Sequence, residues 1–196
     1  RFTAANDPTT IGFYGAGRTV INGQFMHVGG AGGGVDFNPG AGGWVVLSNA
    51  AGNFADATDI TFGNAGGTTD LGGYTHTVRN ATFYGGKVTN GVLAVQNFYL
   101  DYGTVNVPIT NAAGYQANLV KRPITNNDSW INTTCTHNGV TRLIASDITL
   151  QGPNGSANQA AVEFDMAPLN GENSSLILDS SGANNNDRLS DTRSVT

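Results

Sequence analysis

Three pairs of carboxylates lie close enough in the chain to act together: Asp56 with Asp59, Glu163 with Asp165, and Asp187 with Asp191. Two carboxyl groups about 5–9.5 Å apart can cleave a glycosidic bond, one protonating the leaving oxygen while the other attacks or activates water. Residues i and i+2 of a strand share a face, so Glu163 and Asp165, flanking Phe164, point the same way, onto a solvated face. No pair sits in the Asp-Asp or His-Gly setting that sugar-cleaving enzymes display, and solvated surface charge is the ordinary reading of each. His27, His76 and His137 are far apart, without HxH or HExxH spacing for a metal. His76, within Tyr-Thr-His-Thr-Val and opposed to Thr75 and Thr77, reads as a strand residue. No GxSxG setting supports a serine nucleophile. The lone Cys135 can form no internal disulfide, and no CxxC is present.

The run from Asp179 to Asp187 is oxygen-rich, as a hard cation prefers, yet it lacks the frames of calcium-binding loops. It is expected to be a solvated loop; no cofactor is expected, and Ca²⁺ is the one ion it would suit. Aromatic side chains are the better clue to binding. Tyr99, Tyr102, Tyr115 and Trp130 fall in or near one irregular stretch, where they would either fill core or offer faces for sugar rings and partner proteins. Five Asn-x-Ser/Thr sequons, at Asn80, Asn127, Asn132, Asn154 and Asn173, are what so much Asn and Thr gives by chance.

The elements that must position these residues are short strands. From Asp59 to Val107 segments rich in Thr, Val, Phe and Tyr end on Gly or Asn, as at Gly63-Asn64, Gly72-Gly73, Gly85-Gly86, Asn90-Gly91 and Gly103. Apolar residues alternate with Thr or Asn within them, so one face is buried and the other wet. Gly and Asn reach left-handed backbone conformations cheaply and mark the turns. Only 12% of residues are charged, about half of the usual 25%, and Lys and Glu, the good charged helix formers, occur twice each. With 39% hydrophobic residues spread along the chain, a disordered linker is excluded and one β domain is expected.

The net charge of −5 and pI near 4.9 weigh against nucleic acid, which needs Lys and Arg to neutralise phosphates. They weigh equally against an anionic membrane surface, and no apolar run approaches the ~18 residues of a span, so direct membrane insertion is not expected. The glycine runs at 29–34 and 40–43 lack the helix and GK[ST] of a phosphate cradle.

One domain over 1–196 is expected: Gly-rich N-terminal coils at 1–43, regular repeats at 44–111, an irregular excursion around 112–145 and C-terminal coils at 146–196. The first residue is Arg1, and Ser194-Val195-Thr196 reads as the start of a strand, so the chain is expected to be a piece of a longer one. A strand plus turn every 7–12 residues or so fits two architectures. In a parallel β-helix three strands make a coil of about 20–25 residues, and coils stack; in an antiparallel β-sandwich the strands pair by hairpins. Uniform Gly/Asn corners and outward Thr and Asn, which can form ladders between coils, favour the helix.

The segment Gly67-Thr-Thr-Asp-Leu-Gly-Gly-Tyr-Thr-His-Thr-Val78, followed by Gly86-Lys-Val-Thr-Asn-Gly-Val-Leu-Ala-Val95, resembles the autotransporter-associated β-strand repeat. The tail Asn186-Asp-Arg-Leu-Ser-Asp-Thr-Arg-Ser-Val-Thr196 is similar to the segment that leads into that family's next coil. The likeness spans 44–107 and 184–196, while 112–170 fits poorly. It implies a right-handed parallel β-helix in a secreted or surface-displayed bacterial protein, a passenger region with adhesive or scaffolding roles. It supplies no catalytic residues.

A non-catalytic structural or adhesive protein at the bacterial cell surface or outside the cell is therefore expected. Its partners would be further copies of itself, stacked end to end into fibres, and surface glycans or host-cell proteins. The competing expectations are a carbohydrate-active enzyme, a lyase or hydrolase with a groove along one sheet, and a viral receptor-binding fibre.

Overall fold

The computed structural model describes residues 10–25, 34–54, 58–63, 65–123, 129–157, 160–165, 174–181, 188–189 and 196. His27, Asp56, Asp187 and Asp191 fall outside these residues, as do 182–187 of the oxygen-rich run and most of the 186–196 tail. In chain order the strands are β1 (Thr10–Gly15), β2 (Arg18–Ile21), β3 (Gly34–Pro39), β4 (Trp44–Leu47), β5 (Asp59–Phe62), β6 (Thr68–Asp70), β7 (Thr75–Tyr84) and β8 (Lys87–Thr89). They continue with β9 (Val92–Val105), β10 (Ile109–Asn111), β11 (Asn118–Lys121), β12 (Ser129–Ile131), β13 (Val140–Ile144), β14 (Asp147–Gln151), β15 (Ala161–Asp165) and β16 (Ser175–Asp179).

Every pairing between these strands is parallel, which excludes the sandwich. The fold is a parallel β-solenoid with three faces. The first face runs β1-β3-β5-β7-β9-β11-β13-β15. The second stacks β2-β4-β6-β8 and, further along, the end of β9 with β12, β14 and β16. The third joins the front halves of β7 and β9 to β10 and continues through single bridges, Ile109 to Cys135, Thr134 to Ser156 and Ala157 to Leu189. The chain visits the faces in the same order on every coil. Coil length varies: 17 residues separate Asn80 from its partner Asn97, and 25 separate Gly34 from Asp59.

The irregular excursion expected at 112–145 contains β11, β12 and β13, all in register with their neighbours. Its irregularity lies in the connections, among them 112–117 and 136–139.

Alternation along each strand sends one set of side chains into the bore, where residues in register stack into columns. On the first face Phe13, Phe37, Phe62 and Phe83 follow one another with ring centroids 5.5, 5.8 and 4.9 Å apart. Such aromatic contacts contribute about 0.5–1.5 kcal/mol each beyond area burial. The column continues in register through Leu100, Lys121, Leu143 and Phe164. The third-face column runs Phe25, Phe54, His76, Leu93, Ile109, Cys135, Ala157 and Leu189.

The corner between first and second faces closes on glycine. A Cβ at Gly67 would lie 2.5 Å from the carbonyl oxygens of Pro39 and Gly40 on the coil below. Gly103 has φ +100° and sits where a Cβ would meet Gly85 Cα at 2.9 Å; only glycine combines that backbone with that approach.

Candidate contact surface

Over β7 and β9 the first face turns amides, a hydroxyl and tyrosines outward. Outward side chains of β7 are Asn80, Thr82 and Tyr84; in register above them on β9 stand Asn97, Tyr99 and Tyr102. Asn118 and Val120 of β11 follow, with Arg122 just beyond the strand. The amides form a ladder: Asn97 Nδ2 donates to Asn80 Oδ1 at 3.0 Å, and Asn80 Nδ2 donates to Asp59 Oδ1 at 2.9 Å. At the other edge, Tyr84 and Tyr102 pack edge to face with centroids 4.8 Å apart.

A β-bulge produces that pairing. Phe83 pairs with Leu100, but Tyr84 pairs with Tyr102, leaving Asp101 as the extra residue. A bulge interrupts the ladder and re-aims the following side chain. Here the extra residue is anchored from the next coil. The Asp101 carboxylate is 7% exposed and accepts two hydrogen bonds from Arg122, at 2.6 and 2.7 Å. The Asp101 carbonyl accepts from Lys121 Nζ at 2.6 Å, and Lys121 also donates to Arg122 O at 3.0 Å. Lys121 is fully buried, its stem in the core column and its ammonium held against the bulge. The Arg122 guanidinium lies 4.8 Å over the Tyr99 ring, a cation–π contact.

Of the four aromatics expected to bind, Tyr99 and Tyr102 thus share one surface. Trp130 is half-buried on the second face, paired with Thr104 two residues beyond Tyr102. Tyr115 is exposed, in the turn after β10, away from the others along the coil. None lies in the core columns. Sequence reasoning missed Tyr84, Arg122 and the bulge. The signal for the tyrosines was the recurring Tyr-Gly at 14–15, 84–85 and 102–103, each at the same corner.

Of the acids expected to pair, Asp59 and Glu163 make inter-coil contacts. Asp59 forms a two-pronged ion pair with Arg79, both contacts 2.7 Å. Glu163 accepts from Arg142 directly beneath it, at 2.9 Å. Glu163 and Asp165 do share an outward face, and with Arg142, Phe164 and Thr196 they line a shallow open cavity. His76 faces inward: its Nδ1 accepts the Asn53 N–H at 3.2 Å, so Nε2–H is the donor to Leu71 O at 2.9 Å. Burial lowers its pKa, partly offset by the Leu71 bond. His137 is buried with Nε2 at 2.8 Å from Thr141 Oγ1 and Nδ1 unpartnered; burial pushes its pKa down to about 4. Burial likewise lifts the Cys135 thiol to about 12, leaving it a core side chain. Hydrogen bonds from the Ser181 hydroxyl first and then from its N–H, the latter at 2.9 Å, hold the Asp179 carboxyl below the usual range. Among the described residues no three or more His, Cys, Asp or Glu side chains gather as a metal site.

Fold and surface together define a parallel β-solenoid whose outer polar groups link coil to coil and which gathers three tyrosines at a bulge. No protein family, curated protein or solved structure matches the chain.

Proposed function

We propose that this chain is part of a non-catalytic structural or adhesive rod of the autotransporter-passenger kind, displayed at a bacterial surface or secreted. One observation carries the reading: the outward ion pairs Asp59–Arg79, Asp101–Arg122 and Glu163–Arg142 each bridge one coil to the next. Charges that could do acid chemistry serve instead as cross-links of a stacked rod. The partners are surface glycans or proteins along the sides and further copies at the ends. A strand edge left without a neighbour offers unpaired N–H and C=O groups that template stacking.

Adhesion is tested by coating beads with the chain and counting their attachment to cells bearing intact surface glycans; attachment no greater than that of uncoated beads removes it. Electron microscopy across a concentration series tests stacking, with lengthening rods as the expected result. A field of dispersed particles at the highest concentration removes the self-assembly part. Labelling of intact expressing cells by an antibody to the chain tests surface display.

A second reading, a glycan-active enzyme, draws on the cavity that brings Glu163 and Asp165 beside Arg142. Turnover of a uronic-acid or neutral glycan that Glu163→Gln abolishes would replace the first reading with this one.

A further inference from the structure

We propose that the bulge surface of Tyr84, Tyr99, Tyr102 and Arg122 is a binding platform for an uncharged glycan. The inference rests on the adhesive reading above and names its ligand class. Three features carry it.

The platform's charged groups are already engaged. Arg122, its exposed cation, is held by Asp101 through two short hydrogen bonds, and Lys121 is fully buried against the Asp101 and Arg122 carbonyls, so neither cation stands ready to pair with a sulfated or uronic-acid polymer. Beside it the outward groups are uncharged amides and hydroxyls, Asn97 and Thr82 among them. A ladder that uses Asn97 Nδ2 toward Asn80 leaves Asn97 Oδ1 to accept from a ligand hydroxyl.

The aromatic groups are presented rather than stored. Tyr84 is 42% exposed, and Tyr102 is fixed against its ring at 4.8 Å. A pyranose ring has an apolar C–H face that stacks on such rings and a rim of hydroxyls that needs donors and acceptors at its edge. Arg122 supplies donors: its Nε and one terminal nitrogen bind Asp101, and the other terminal nitrogen's hydrogens are directed away from that carboxylate, while Asn97 Oδ1 supplies an acceptor.

The platform is also held rigid from beneath. A buried lysine and a nearly buried aspartate fix the backbone that aims Tyr102 and Arg122. Fixing contact groups in advance lowers the ordering cost of binding.

The test titrates the intact chain, followed by NMR of its tyrosine rings and by calorimetry, with hexasaccharides of neutral β-glucan, xylan and galactan. A galacturonate hexasaccharide is the charged arm. At least one neutral probe is expected to bind saturably and shift the rings of Tyr84, Tyr99 and Tyr102. Tyr84→Ala and Tyr102→Ala should each weaken it about tenfold, with Tyr84→Phe near wild type. Trp44→Ala, on the second face, should leave binding unchanged. Circular dichroism of each variant separates loss of fold from loss of contact, and Tyr84→Ala at the rim of the coil keeps the test alive should Tyr102→Ala misfold. Binding of the galacturonate alone, no saturable binding by any neutral probe, or binding indifferent to both alanines overturns the proposal. Beads that still attach to cells while every hexasaccharide fails would sink this inference and leave the adhesive reading standing. Failure of both removes the two together.

Discussion

Lys121 occupies a place in the core column where its neighbours in register are Leu100 and Leu143. A buried ammonium persists only where its hydrogens are satisfied, and here the acceptors include the carbonyls of Asp101 and Arg122. Lys121→Met keeps the stem and deletes the donors, leaving a bulge carbonyl unpaired at a cost of about 1–3 kcal/mol. Lys121→Ala adds a cavity and should cost more, about 3–5 kcal/mol. Urea unfolding reads both; a Lys121→Met chain as stable as the parent would show that the lysine does not anchor the bulge. His137 gives a pH signature. Its folded pKa, about 4, lies below the ordinary imidazole value of 6.5, so between these values the unfolded chain binds the extra proton. Stability from this group is complete above pH 6.5 and falls as pH drops toward 4, by on the order of 3 kcal/mol. His76, lowered in the same direction, adds to the slope. His137→Phe should flatten the dependence of unfolding free energy on pH between 6.5 and 4.5, and an unchanged slope would assign the effect elsewhere.

At the scale of elements, the corner between first and second faces depends on close backbone approach. Gly67→Ala places a methyl 2.5 Å from two carbonyl oxygens of the coil below and should cost about 1–3 kcal/mol. Gly17→Ala, at the same corner with nothing within 4 Å, should change stability by under about 0.5 kcal/mol. Equal midpoints for the two in thermal melts would show that the corner tolerates a side chain. The strands between corners were legible from sequence: Asp59–Phe62 and Thr75–Tyr84 lie in the stretch from Asp59 to Val107 where apolar residues alternate with Thr or Asn and turns fall on Gly or Asn. Residues 112–145 were harder to read. Pro108, Pro123 and the polar run at 126–128 mask short strands such as Ser129–Ile131, whose three residues are too few to show a period.

For the whole molecule, stacking is the property with the largest consequence. On β16 Ile177 and Leu178 are 46% and 50% exposed, and β16 pairs with β14 alone among the described strands. Copies that meet at such a strand should join faster as net charge vanishes. Light scattering should therefore rise fastest near pH 4.9, the calculated isoelectric point, and slow at pH 8; growth independent of pH would separate stacking from charge. The sequence by itself determined the alternation of strand and corner, the low charge, the inward apolar and outward Thr/Asn pattern, and so a stacked β architecture. These are local: side-chain direction has a period of two residues, and turns need Gly or Asn wherever they occur. Only the tertiary structure decided which residue stands on which. Coil length shifts from 16 residues between Leu93 and Ile109 to 28 between Asp147 and Ser175, so no fixed period foretells that Tyr84 meets Tyr102, that Lys121 enters the phenylalanine column, or that Asp101 is the residue left over between coils.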